Sequence, residues 1–141
     1  MKEPGSKVGV DQTISAQPGL VPQEKGKLTR TRIWGATIFV DYTMKWIKVC
    51  LLKSTTGDTT LEAKEAFEEE CHVRDVKPRN FHAYNDSFAE PTLVEDCKPK
   101  LQKLTFCGVG AHHQNGVAEN TITQLTLTSR TLLLNAQCHW P

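Results

Sequence analysis

Short β-rich runs and longer helical runs follow one another along the chain, separated by loop-type composition. KVGVDQTIS (7–15) reads as a strand with Asp11 near its end. AQPGLVPQEKGKLTRTR (16–32), rich in Pro, Gly and basic residues, reads as a loop. IWGATIFVDY (33–42) and KWIKVCLLKS (45–54) are β-rich with little between them, which predicts an antiparallel hairpin. The period then changes. In STTGDTTLEAKEAFEEECHVR (54–74), Leu61, Ala63, Ala66, Phe67 and Cys71 fall on one helical face, with Glu62, Glu65, Glu68 and Glu69 mostly outside it. Asp58 or Thr59 is the expected cap.

Beyond Pro78, RNFHAY (79–84) predicts a strand, PTLVEDCKPKL (91–101) a short helix limited by Pro99, and KLTFCGVG (103–110) a last short strand. AHHQNG (111–116) reads as a loop. In VAENTITQLTLTSRTLLLNAQ (117–137), Ala118, Ile122, Leu125, Leu132 and Ala136 recur at helical spacing. TITQLTLT alone alternates like a strand, but the whole run is too long for one. The order β, ββ hairpin, α, β, α, β, α describes an α/β fold, a mixed central sheet of about five strands flanked by helices. Ligands of open α/β sheets bind beyond the strand ends. Asp11 and the 82–86 segment fall at such ends and Glu119 falls in the first turn of a helix, so three distant stretches can converge.

Composition narrows the function classes. A chain of 141 residues is expected to form a single domain, 1–141, with the first strand and the basic loop (6–30) included. Seventeen basic against sixteen acidic residues leave a net charge of +1, so any nucleic-acid binding must come from a local patch. The densest basic cluster is KGKLTRTR, with Lys25, Lys27, Arg30 and Arg32. Five cysteines, Cys50, Cys71, Cys97, Cys107 and Cys138, are widely spaced with no C-x-x-C, which supports neither a zinc ribbon nor a thioredoxin-type site. Reduced thiols in a nuclear or cytoplasmic protein are expected. MKEPGSKVGV lacks the apolar core of a signal peptide, and IWGATIFV is too short to span a bilayer, so no membrane association is expected.

Three segments, in order and with matching separations, carry a resemblance. ATIFVDYTMKW, HAYNDSFA and FCGVGAHHQNGVAEN resemble the integrase catalytic core of copia-type retrotransposons, a branch of the retroviral integrase superfamily with the ribonuclease H-like fold. The resemblance runs from VGVDQT to TLLLNAQCHWP, and its last segment is the most specific. It implies DNA integration, a DNA recombination reaction of a transposable element in which element ends are joined to target DNA. It also implies Mg2+ or Mn2+ as cofactor, DNA as partner, and a homo-oligomer. Such cores hold two divalent metals with two aspartates and a glutamate, because these cations prefer hard, anionic oxygen ligands.

Carried over by position, the first aspartate is Asp11 and the glutamate is Glu119, the expected catalytic and metal-binding residues. The second falls on Tyr84, because HAYN stands where the family has HADN. Tyrosine keeps its proton near neutral pH and offers one oxygen where aspartate offers two. Asp86 is the possible substitute, although two residues along an extended chain displace it by about 6.5–7 Å. The resemblance also places basic residues one and two turns beyond the glutamate, where this chain has Thr123 and Thr126. Nucleic-acid contacts are therefore expected from Lys25, Lys27, Arg30 and Arg32, with Asn115 as a further candidate. The plainer readings are that Asp11 caps a turn, Glu119 is a solvated helix-start residue, Asp41 is structural, and His112 and His113 are surface histidines. The glutamates of 62–70 read as a solvated helix face, and Gly116 as a source of conformational freedom at the loop. The expectation is an integrase-like core with an incomplete triad, or a non-catalytic remnant that binds nucleic acid or other integrase chains.

Overall fold

A computed structural model describes residues 2–20, 32–54, 56–83, 88–108 and 116–136, with the side chains of 17–20 excepted. Five strands and three helices follow in the order β1 (Val8–Leu20), β2 (Arg32–Asp41), β3 (Ile47–Leu52), α1 (Gly57–Val73), β4 (Asn80–Ala83), α2 (Pro91–Cys97), β5 (Lys103–Phe106) and α3 (Gly116–Asn135). They build one five-stranded sheet in the order β3-β2-β1-β4-β5. β1, β2 and β3 pair antiparallel, whereas β4 runs parallel to both β1 and β5. The expected α/β class and mixed sheet are what the chain forms.

Strand parity divides the molecule into two faces. Val8 and Val10 of β1, Phe39 of β2 and Phe81 and Ala83 of β4 join Ala63, Phe67 and Cys71 of α1 and Leu93 of α2 in one apolar core. Phe67 lies at its centre, stacked on Phe39 and Trp46 and meeting Phe81 edge-on. The opposite face, reached by the alternate residues of each strand, is crossed by α3, which packs against β1 and β2. β2 lies inside the sheet, between β3 and β1, and is covered on both faces, which is why Ala36 to Asp41 are all buried.

The structure corrects several expectations. β1 continues to Leu20, through part of the expected loop, because it pairs with β2 as far as Leu20↔Arg32. The register shifts between Ile14 and Gly19, so Pro18, which has no N–H to give, falls in an irregular stretch of the ladder. The cap of α1 is Thr56, without a side-chain hydrogen bond, in place of Asp58 or Thr59. Thr60 and Lys64 are buried on α1, while Ala66 is exposed. The glutamate face is only partly solvated. Glu68 pairs with Lys64 and Lys100, and Glu70 pairs with Lys48 and Arg74. On α3 the apolar row is covered only in its first half. Ala118 is buried and Ile122 and Leu125 are half-buried, but Leu132 and Ala136 are exposed. Gly116 has open space around its Cα, so a side chain would fit there.

Asp41 is structural, as expected. It is 2% exposed and its carboxylate accepts the backbone N–H groups of Gly5, Thr43 and Met44, closing the turn between β2 and β3.

Candidate functional site

Asp11 is the fourth residue of β1 and so lies inside that strand, not near its end. The expected strand-end location nevertheless holds for the parallel part of the sheet. The described β1–β4 ladder reaches Val10↔Ala83, and Asp11 follows immediately in β1. Asp11 therefore lies toward the carboxyl ends of the parallel strands, the side on which open α/β sheets place their ligands. Asp11 has the parity of the α3-facing residues Thr13 and Ser15, which line the groove beneath α3 together with Ile122 and Leu125.

Glu119, in the first turn of α3, is half-buried. It is close enough for its charge to act on Asp11. Burial pushes the Asp11 carboxyl above its ordinary value of 3.8, the Gln12 N–H at 2.8 Å from Oδ1 pulls it back, and Glu119 raises it further. Two carboxylates from opposite ends of the sequence thus share one site, which costs stability when both are ionised.

That cost has a measurable sign. With its folded pKa raised, Asp11 contributes stability that is fully present below 3.8 and is lost as pH rises through the folded value. Asp11→Asn is therefore expected to raise the melting temperature at pH 7 by about 2–5 °C. The gain should shrink toward zero below pH 4, as thermal scans across pH will read. A lower melting temperature at pH 7 would show that Asp11 is instead held by a favourable partner.

The same face carries a second pair that the sequence did not suggest. His82 of β4 pairs with Gly9 on one side and Thr105 on the other, so His82, Thr105 and Asp11 share a face. Cys107, just after β5, is tied to the sheet by its N–H to the Ala83 carbonyl at 3.0 Å. Its Sγ lies 3.4 Å from His82 Nε2, and His82 Nδ1 lies 2.9 Å from Thr105 Oγ1. Burial raises the Cys107 thiol pKa, and Glu119 and Asp11 raise it further. Asp11, Glu119, Cys107 and His82 thus gather at one end of the sheet.

Arg32 opens β2, six residues from Ile38, the partner of Asp11, which puts it roughly 20 Å along the strand from the carboxylates. Tyr84, Asp86, Lys25, Lys27, Arg30, Asn115, His112 and His113 lie outside the described residues. In sequence, Tyr84 directly follows Ala83, which pairs with Val10 of β1. A surface cavity of about 680 Å³ lies elsewhere, at the amino ends of the parallel strands, lined by Trp46, Arg74 and Lys77 among others. No described helix is long and apolar enough to cross a membrane.

No protein-family model and no curated protein sequence matches the chain. Solved structures do. The HTLV-2 integrase catalytic core domain in complex with magnesium, in its trimeric form, matches with a TM-score of 0.65 at 17% identity, over 98% of this chain and 77% of that one. The simian T-cell lymphotropic virus intasome in complex with PP2A regulatory subunit B56 gamma matches with a TM-score of 0.71 at 15% identity, over 98% of this chain and 44% of that one. The catalytic core domain of BIV integrase matches with a TM-score of 0.61 at 13% identity, over 96% of this chain and 75% of that one. At these identities the likeness concerns the fold, and the fold is that of retroviral integrase catalytic cores, ribonuclease H-like.

Proposed function

We propose that this chain is the catalytic-core-like domain of a copia-type retrotransposon integrase, a nucleic-acid-binding unit spanning 1–141 whose phosphoryl-transfer chemistry is impaired. The observation that carries the reading is the meeting of Asp11 and Glu119 at the carboxyl ends of the parallel strands, on an integrase-core fold. The impairment is inferred from Tyr84, which stands in sequence where the resembled family has its second aspartate.

Asp11 and Glu119 supply hard, anionic oxygens of the type that holds Mg2+ or Mn2+. When bound, such ions would activate the attacking oxygen and stabilise the leaving one in a displacement at phosphorus. With a phenol in the third position the anionic set is short by one ligand, and binding is weak. DNA is the proposed partner, held through Lys25, Lys27, Arg30, Arg32 and Asn115. Self-association is proposed by analogy with the dimeric and trimeric HTLV-2 cores.

The non-catalytic alternative draws support from α3. Its sole basic residue is Arg130, and the Thr123 hydroxyl is turned back onto the Glu119 carbonyl at 3.1 Å. A hydroxyl engaged in this way is a poor phosphate contact.

Tyr84→Asp separates the readings. The parent chain should show no calorimetric magnesium or manganese binding at low millimolar concentrations, and no strand transfer above the Glu119→Gln control. A folded Tyr84→Asp variant should gain a metal site, with activity recovering less fully than binding because catalysis also needs substrate held in line. A variant with the parent's melting curve that binds metal no better would overturn the assignment of Tyr84 and move the test to Asp86.

A further inference from the structure

We infer that the cavity at the amino ends of the parallel strands binds a planar aromatic anion, the chemistry shared by a nucleotide and an aryl carboxylate or sulfonate. The inference goes beyond the integrase reading and does not rest on it, since neither Asp11 nor Glu119 lines this cavity.

A volume of about 680 Å³ is of the size that holds a small molecule. A column of stacked groups leads to it from the core. Phe39 lies on Phe67 at 4.7 Å between centroids, with 14° between planes, and Phe67 lies on Trp46 at 5.2 Å and 20°. The Arg74 guanidinium closes the column, 4.8 Å from the Trp46 ring centroid. Its Nη2 donates to Glu70 Oε1 at 3.2 Å. A guanidinium donates within its own plane, so this bond pins the group without covering its faces. One face covers the indole. The side chain is 55% exposed and lines the cavity, so the other face is open to a further flat group. Arginine stacks on aromatic faces in this way, whereas lysine offers only a point charge.

The charges on the rim select an anion. Lys77 and Arg79 line the cavity beside Arg74. Lys77 takes part in none of the ion pairs among the described residues. Arg79 meets Glu3 at 3.4 Å, with both side chains more than two-thirds exposed. An exposed pair of this kind is worth little, so a ligand displaces it readily. The Asp41 carboxylate is committed to the backbone N–H groups of Gly5, Thr43 and Met44. Asp75 is left to oppose an anion. Met44, which is 64% exposed, lines the cavity with Pro4 and Val76 and supplies the apolar wall for a ring.

Titration of the full chain with anilinonaphthalene sulfonate, an aromatic sulfonate whose emission rises in an apolar site, tests this. A single saturable site should appear, with energy transfer from tryptophan. Lys77→Gln should weaken binding by at least about threefold. Arg74→Lys, which keeps the charge and removes the plane, should weaken it by at least about threefold as well. Asp75→Asn should tighten binding by about twofold or more. Asparagine also suits the left-handed backbone there, where φ is 55°. Lys53→Gln, beyond the far end of β3 from Trp46, should change nothing. All four side chains are exposed, so these variants keep the fold.

Competition against the dye then identifies the ligand. Displacement by adenosine monophosphate assigns the site to nucleotides, and displacement by naphthoate alone assigns it to aryl carboxylates. Displacement by neither overturns the inference. So does dye affinity that is unchanged in the three rim variants, or displacement by neutral naphthalene methanol as strong as that by naphthoate.

Discussion

Phe67→Ala is expected to cost about 3–5 kcal/mol, a large share of the roughly 5–15 kcal/mol that holds an ordinary domain folded. Phe67 is 1% exposed. Its ring stacks on Phe39 at 4.7 Å between centroids and on Trp46 at 5.2 Å, and meets the edge of Phe81 at 6.1 Å. Truncation removes the apolar burial and three ring contacts together. It leaves a cavity between α1 and the sheet that neither β2 nor β4 can fill, because both are fixed by pairing on two sides. Phe67→Leu, which keeps most of the volume, should cost less than about 2 kcal/mol. Urea denaturation followed by tryptophan emission reads both. A loss below about 1 kcal/mol for the alanine variant would place the centre of the core elsewhere.

The second large effect is electrostatic. Lys64 is 3% exposed on α1, and its ammonium reaches Glu68 Oε1 at 2.5 Å, Asp96 Oδ2 at 2.6 Å and Gln102 Oε1 at 2.8 Å. Its three N–H donors thus meet three acceptors, and its charge lies 5.0 Å from the Phe81 ring centroid. Removing one member of a buried ionic network strands the others, so Lys64→Ala is expected to cost about 3–5 kcal/mol.

The pH dependence should change with it. Burial alone would raise Glu68, but hydrogen bonds from Lys100, Lys64 and Gln102 together outweigh it and hold the group below 4.5. Asp96 is likewise held below 3.8, with burial opposed by Lys100 and Lys64. These depressed carboxylates contribute stability that is present above those ordinary values and lost as pH falls through the folded ones. Denaturation curves from pH 7 to pH 2 should show a shallower acid loss in Lys64→Ala than in the parent. An unchanged acid limb would mean that Lys100 alone sustains the carboxylates.

What the sequence made legible follows from where each signal resides. The order of strands and helices is written in local periodicity, and α3 was separated from a strand by the length of its apolar run. Asp11 and Glu119 were legible only through the resemblance, since neither residue's neighbours single it out. The 16–20 stretch looked like a loop because Pro18 and Gly19 obey local rules, while pairing with β2 decides its conformation. Lys64 carries no local signal, because a lysine on the inner face of a helix makes sense only with Asp96 and Gln102, which are 32 and 38 residues away. Cys107 and His82, 25 residues apart, belong to no spacing motif. Sheet order alone brings them together.

β3 forms one border of the sheet, and its side chains alternate against the usual sense of such borders. Lys48 points inward to Glu70, while Ile47, Val49 and Leu51 are exposed on the other side at 40%, 41% and 59%. Border strands ordinarily defend their open N–H and C=O groups with outward charge. Here the charge is spent inside and the outer row is apolar, so two molecules meeting along β3 find both free backbone groups and a greasy strip. Association through this border is therefore expected to grow with protein concentration.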